Sequence, residues 1–279
     1  MLKLMYITNN PNVALIAEKA GVDRIWIDLE TLGKEERQKN YDSVKSHHTV
    51  DDIKKIAPLL TTSEMLVRID PWNKNSEKQI DDVIEAGAQI VMLPYWKSVE
   101  EVRKFVHAIK GRAKTMLLLE TKEAVECLDD VLEVSGIDEI HLGLNDLHLS
   151  YGLTFMFELY PNGMIESITQ KIKAKNIPFG IGGMGRFNAG LLPKPEDVII
   201  EHYRLGSNAI ILSRSFCNYQ KIVDVTEVYR VLSDGVDKIR KIEKCCESLT
   251  DEDFVENKRR LDRDTISVVK EIKEKNSNT

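Results

Sequence analysis

Eight times along this chain a short apolar run rich in β-branched residues gives way to an amphipathic segment, and that rhythm leaves few folds open. The runs fall at 2–8, 24–28, 65–69, 89–93, 115–119, 138–142, 177–181 and 208–212. Between them, over 12–20, 50–60, 76–87, 98–109, 122–134, 164–175 and 195–205, apolar residues recur at spacings of three and four, as one buried helical stripe requires. Gly21, Gly87 and Gly206 close three of these segments in the manner of helix stop signals. The runs are apolar throughout rather than alternating, so both faces of each strand must be covered, which marks a parallel sheet. Eight such units predict a closed (β/α)8 barrel, an α/β TIM barrel. A doubly wound sheet would want a glycine-rich turn after the first strand, where the chain reads Thr8-Asn9-Asn10-Pro11.

The barrel is expected to occupy residues 1–217 as the catalytic domain, with 218–279 as a C-terminal helical extension. Val223, Val228, Leu232, Val236, Ile239 and Ile242 form one stripe there, and Phe254, Leu261, Val268 and Ile272 a second. A barrel does not need that much added helix. The extension is therefore expected to pack on the barrel or on a neighbouring subunit, the latter making a homo-oligomer. Lys and Arg number 39 against 45 Asp and Glu, a net charge of −6 without a basic block, which argues against nucleic acid as a partner. No apolar run approaches the ~18 residues of a membrane span, and the N-terminus lacks the pattern of a signal peptide. Cysteines 127, 217, 245 and 246 form no C-x-x-C and read as reduced thiols of a cytoplasmic protein.

Two long polar stretches, 29–49 after the second run and 183–195 after the seventh, break the spacing at carboxyl ends of strands, where barrel enzymes build their sites. Charged residues end otherwise apolar strands: Asp28 and Glu30, Arg68 and Asp70, and Glu120, with the turn Gly143-Leu144-Asn145-Asp146 after the sixth. Any single one of these acids could be a helix cap or a surface ion pair. In a barrel, however, they converge on one mouth, where acids without a counter-charge raise one another's pKa. A divalent cation resolves that crowding, and hard oxygen donors such as Glu120 and Asp146 suit Mg²⁺ or Mn²⁺ better than zinc.

From Ala20-Gly21-Val22-Asp23 through Ile27-Asp28-Leu29-Glu30, Val67-Arg68 with Trp72-Asn73, and Glu85-Ala86-Gly87-Ala88 with Leu93-Pro94, the chain becomes recognisable. Leu119-Glu120-Thr121-Lys122-Glu123-Ala124 and Leu142-Gly143-Leu144-Asn145-Asp146-Leu147 complete the series. Over roughly 5–215 the sequence resembles the HpcH/HpaI aldolase and citrate lyase β-subunit family of the phosphoenolpyruvate/pyruvate barrel superfamily. The resemblance implies that Glu120 and Asp146 are the metal ligands and that Arg68 contacts the keto or enolate oxygen of a pyruvate-like substrate. It further implies that the backbone of Gly143, Leu144, Asn145 and Asp146 holds the substrate carboxylate, and that Asp28 and Glu30 form the acidic strand-two motif, D-L-E as in the lyase branch. The implied activity is a metal-dependent carbon–carbon lyase or aldolase acting on a small 2-oxo acid, through an enolate of pyruvate or oxaloacetate. Such an enolate needs its charge stabilised as it forms, which a metal and a fixed guanidinium both do. A Schiff-base aldolase would need a lysine within a strand core, and none of the eight runs holds one there; Lys3 lies near the wrong end of the first.

The sequence departs from the aldolase branch at Thr31, where a histidine follows the strand-two glutamate, and at Leu118, where those enzymes carry glutamine. His47 and His48 are the candidate replacements for acid–base work, since an ordinary histidine titrates near ~6.5; both can equally be solvated loop residues before a helix cap at Thr49. His141 reads as a satisfied core residue and His148 as a candidate lining of the mouth. Lys34-Glu35-Glu36-Arg37 reads as a solvated face or as an anion contact, and Gly182-Gly183-Met184-Gly185 as an anion-binding turn or a lid hinge. The departures keep two other readings open: an acyl-CoA lyase or citrate-synthase-like condensing enzyme of the same family, and a barrel that binds ligand without catalysis.

Overall fold

The computed structural model describes residues 1–33, 47–222 and 224–277. Eight parallel strands close into a barrel in chain order, β1 pairing with β8: β1 (Lys3–Ile7), β2 (Arg24–Asp28), β3 (Glu64–Arg68), β4 (Ile90–Leu93), β5 (Lys114–Leu119), β6 (Glu139–Leu142), β7 (Phe179–Met184) and β8 (Ala209–Leu212). The helices are α1 (Pro11–Lys19), α2 (Val50–Ile56), α3 (Ser76–Glu85), α4 (Val99–Ile109), α5 (Lys122–Glu126), α6 (Leu128–Val131), α7 (Leu144–Ser150), α8 (Met164–Ala174) and α9 (Pro195–Leu205). The (β/α)8 expectation holds, with small differences. The segment at 122–134 divides into α5 and α6, and the turn after β6 winds directly into α7. Strand β7 runs past the expected 177–181 to Met184, its register against β8 shifting between Gly180 and Gly183. Glycine permits that irregularity, because a ladder interrupted by a bulge tolerates residues with little or no side chain.

Side chains two apart along a strand share a face, so the apparently continuous runs split into two populations. Leu4, Ile25, Ile27, Val67, Val91 and Leu117 face the helices and join one large outer core. Met5, Trp26, Leu66, Met92, Met116 and Leu118 fill a separate cluster inside the barrel. At the amino end of the strands that inner column is closed by ions: the Arg24 guanidinium donates to Glu139 at 2.5 and 2.7 Å and to Glu64 at 3.2 Å, and Lys114 reaches Glu64 at 2.6 Å. At the carboxyl end the same inward columns finish in Asp28, Arg68 and Glu120.

The chain continues into α10 (Val225–Cys246) and α11 (Asp251–Ser277). Helix α10 buries Val228, Leu232, Val236 and Ile239 against the barrel helices α1 and α9, and its Glu243 accepts the Leu2 backbone N–H. Val223, the first residue of the expected stripe, lies outside the described residues. Helix α11 lies on α9 and on the short 3-10 turn Met156–Leu159 through Asn257, Leu261 and Thr265. Asn257 donates to the Asp197 carbonyl at 2.9 Å. Val255 and Ile266 on its other side stay exposed. The four cysteines are unpaired, and no helix among the described residues is long and apolar enough to cross a membrane.

Two histidines are wholly buried, His141 on the inward face of β6 and His202 on α9. His141 points its Nε2 at the Gly182 carbonyl, 3.0 Å away, and His202 points Nδ1 at the Ser207 hydroxyl, 2.9 Å away. Burial lowers their pKa values to about 4 and about 3, respectively. An unfolded histidine, near ~6.5, takes up a proton that the folded ones refuse. Their contribution is complete above that pH and is lost progressively as pH falls toward the folded values. Urea unfolding at pH 7 and pH 5 should show the wild type losing about 2 kcal/mol more than His202→Asn over that interval. Equal losses would contradict a neutral buried His202.

Candidate active site

Strands β2 and β3 pair with Asp28 directly beside Arg68, and the inward column therefore places a carboxylate and a guanidinium side by side at the mouth. Arg68 Nε and Nη2 donate to the two oxygens of Asp28 at 2.8 and 2.9 Å, and Nη2 also lies 3.2 Å from Glu30. Both acids are buried. Burial alone would lower the arginine pKa, but Asp28, Glu30 and Glu120 outweigh it and hold the guanidinium charged well above its usual range. Its plane lies 5.1 Å from the Trp26 ring. Forked in this way, Arg68 keeps Nη1 without a hydrogen bond among the described residues, and the side chain borders the main cavity.

Glu120 follows β5 and is buried. One of its oxygens accepts the Tyr95 N–H at 3.1 Å, and Tyr95 adopts a left-handed backbone, φ 50°, to present it; a non-glycine residue there is a modest strain of the kind found at functional sites. The other oxygen packs on the next strand end. A Cβ at Gly143 would lie 2.8 Å from Glu120 Oε2, so glycine at 143 is required by close approach. Beyond it, the backbone N–H groups of Leu144, Asn145 and Asp146 open α7 and have no acceptor among the described residues, as the first turn of a helix leaves them.

These groups line one cavity of about 420 Å³, which Arg68, Glu120, Gly143, Leu144, Asn145 and Asp146 share. Asp28 and Glu30 stand behind Arg68. His48 stands elsewhere: its Nδ1 accepts the Asp28 N–H at 3.0 Å, and its ring borders a separate cavity of about 20 Å³ beside Arg214 and Cys217. His47 is exposed, Lys34 to Arg37 lie outside the described residues, and Thr31 is tied to Asp70 by its backbone and hydroxyl, at 2.7 and 3.1 Å. Leu118, at the glutamine position of the aldolases, lines the cavity floor. His148 is buried, its Nδ1 3.2 Å from the Leu144 carbonyl. The glycine-rich segment at 182–185 is part of the cavity wall.

Glu120 and Asp146 bring two carboxyl groups to the lining of this cavity, hard oxygen donors of a kind that suits Mg²⁺ or Mn²⁺. Among the described residues no three His, Cys, Asp or Glu side chains cluster as a ready-made metal centre. The pair therefore fits a cation that takes its remaining ligands from water and substrate, as Mg²⁺ commonly does.

An apolar wall completes the cavity: Phe155 and Met156 after α7, Leu191 and Leu192 from the long stretch 183–195 at the end of β7, and Val198 within α9. No motif singles out the first of these, whose sequence signal is an apolar Phe-Met-Phe at 155–157, stranded between a strand turn and the next helix.

Comparison with known proteins agrees with this architecture. A hydroxypyruvate/pyruvate aldolase of Roseovarius nubinhibens is 24% identical over 147 residues, 39% of this chain and 55% of that protein, so the match spans about half the relative's length. An HpcH/HpaI aldolase from Desulfitobacterium hafniense superposes with a TM-score of 0.61 at 17% identity, over 86% of this chain and 93% of the other. The protein CitE from Mycobacterium tuberculosis, in complex with magnesium and acetate, does so with a TM-score of 0.58 at 13% identity, over 83% and 96%. At such identities the superpositions speak for the fold alone. Residues 3–179 match the family model for HpcH/HpaI aldolase/citrate lyase, most of the barrel and every strand-end acid described above, and the chain belongs to that family.

Proposed function

We propose that the protein is a divalent-metal-dependent carbon–carbon lyase or aldolase whose enolate-forming substrate is a small 2-oxo acid, pyruvate or oxaloacetate. The observation that carries this reading is the single cavity onto which Arg68, Glu120 and the 143–146 turn all open. The aldolase name of the Roseovarius relative and the magnesium in the CitE complex support it.

In this reading Arg68 presents Nη1 to the 2-oxo oxygen, where negative charge grows as the enolate forms. Asp28 and Glu30 hold the guanidinium plane fixed, so no reorganisation is needed at that moment. The free N–H groups at the start of α7 receive the substrate carboxylate. Glu120 and Asp146 would hold Mg²⁺ or Mn²⁺, which when bound would supply Lewis-acid stabilisation of the charge that develops on the enolate. His48 is assigned a positioning role: it holds the Asp28 backbone and, through it, the clamp on Arg68.

Exchange of the pyruvate methyl protons with solvent deuterium, followed by NMR, tests the half-reaction without a second substrate. Exchange that depends on added Mn²⁺ or Mg²⁺ is expected, with His48→Asn slowing it but keeping its pH profile. A protein that takes up metal and pyruvate yet exchanges no protons would be a binding protein, and the proposal would fall.

A further inference from the structure

The cluster inside the barrel is built from Met5, Trp26, Leu66, Met92, Met116 and Leu118, and β6 sets an imidazole beside it. His141 pairs with Leu118 across β5 and β6, shares its inward face and is wholly buried. Its Nε2 lies 3.0 Å from the Gly182 carbonyl, which can only accept, so the ring proton sits on Nε2. Nδ1 then carries a lone pair, and it has no partner among the described residues. Burial keeps the ring neutral, its pKa lowered to about 4. An apolar residue at 141 would pack in the same place without burying an orphan nitrogen. What the histidine adds is the one bond that its Nε2–H makes.

The carbonyl it holds belongs to an irregular stretch of β7. Gly180 pairs with Ala209 and Gly183 with Ile211, three steps along β7 against two along β8, so one extra residue is let in as a β-bulge. Gly182 lies within it and has a left-handed backbone, φ 43°. A Cβ on Gly182 would lie 2.6 Å from Leu144 Cδ1. The bulge therefore rests its backbone directly on the first residue of α7. Gly182 and Leu144 both line the cavity, whereas His141 does not. Leu144 also carries the first of the backbone N–H groups that open α7 without an acceptor among the described residues. Bulges re-aim the chain beside active sites, and this one stands between a buried N–H donor and the turn at 143–146.

We infer that His141 is a positioning residue for that turn: its Nε2–H fixes the Gly182 carbonyl, and the bulge so held sets the place of Leu144 and of the N–H groups that follow. The inference rests on the proposed function, which gives the substrate carboxylate to those groups. A contact that serves the carboxylate alone acts on bound substrate and transition state equally. Its loss raises KM and leaves kcat in place.

Exchange of pyruvate methyl protons at saturating Mn²⁺ tests this with two variants. His141→Leu removes the donor and should raise KM for pyruvate about five- to tenfold, the equivalent of one net hydrogen bond, with kcat changed by less than about twofold. His141→Gln, whose amide can place an N–H near the position of Nε2, should return KM to within about twofold of the wild type. Nitrogen-15 NMR of the wild-type imidazole at neutral pH should show the proton on Nε2 and none on Nδ1. Urea unfolding checks that the variants fold; if the leucine variant does not, His141→Met, equally without a donor, replaces it. A proton on Nδ1, an unchanged KM in the variant without a donor, or a glutamine variant no better than that one overturns the inference and leaves the proposed function standing. Wild-type protein that exchanges no methyl protons overturns both.

Discussion

Arg68→Lys should lower kcat/KM by about 10²–10³-fold, the usual cost of removing one preorganised donor to a developing oxyanion. The charge would survive, but the guanidinium does three things at once that an ammonium cannot. It forks onto both oxygens of Asp28 at 2.8 and 2.9 Å, reaches Glu30 at 3.2 Å, and leaves Nη1 without a hydrogen bond among the described residues, available in the proposed function for the 2-oxo oxygen. A lysine is a single point charge and loses that planar geometry. Arg68→Ala should go further and destabilise the fold by about 3–5 kcal/mol, because it removes a buried guanidinium that two buried carboxylates share. Steady-state kinetics with pyruvate and urea unfolding of the two variants separate the effects. A fully active lysine variant would remove Arg68 from the chemistry.

Glu120→Gln should abolish metal-dependent turnover while leaving the fold intact. The amide keeps an oxygen to accept the Tyr95 N–H and nearly the same shape against Gly143, but loses the charge. Replacing groups that merely support metal ligands commonly costs ~10–100-fold in affinity, so losing one of two carboxylates should weaken Mn²⁺ binding by at least about 10²-fold. Titration calorimetry or the Mn²⁺ paramagnetic resonance signal reads this independently of activity. The unfolding midpoint should stay unchanged or rise, since one of several crowded like charges has gone. Unaltered Mn²⁺ uptake would mean that Glu120 is not a ligand, and the assignment of the pair with Asp146 would fail.

The alternation of runs and stripes is enough to specify the barrel, because a parallel sheet covered on both faces writes its strands as unbroken apolar segments. It also locates the acids, since a charge at the carboxyl end of such a strand has few places to go except the mouth. What it does not show is which face each residue takes. Arg24 and Glu139 lie at the starts of strands and read as ordinary polar flanks, yet they close the barrel floor with a charge-assisted pair. His48 reads in the sequence as an acid–base candidate or a solvated residue before a helix cap, and nothing local shows that its Nδ1 accepts the Asp28 N–H twenty residues earlier. The wall of the cavity is the least legible part. Phe155 and Met156 are remote in sequence from Leu191 and Val198, so no local pattern links the two sides of the wall.

Fold class and the acidic, arginine-bearing end of the site therefore follow from local chemistry, since hydrophobic period and strand-end charge are properties of neighbouring residues. The way Arg68 divides its donors between Asp28 and Glu30, and the apolar wall of the cavity, arise from contacts among segments remote in sequence. Such contacts form only when the barrel closes and α11 folds back over its side, because distance along the chain says nothing of which side chains will meet.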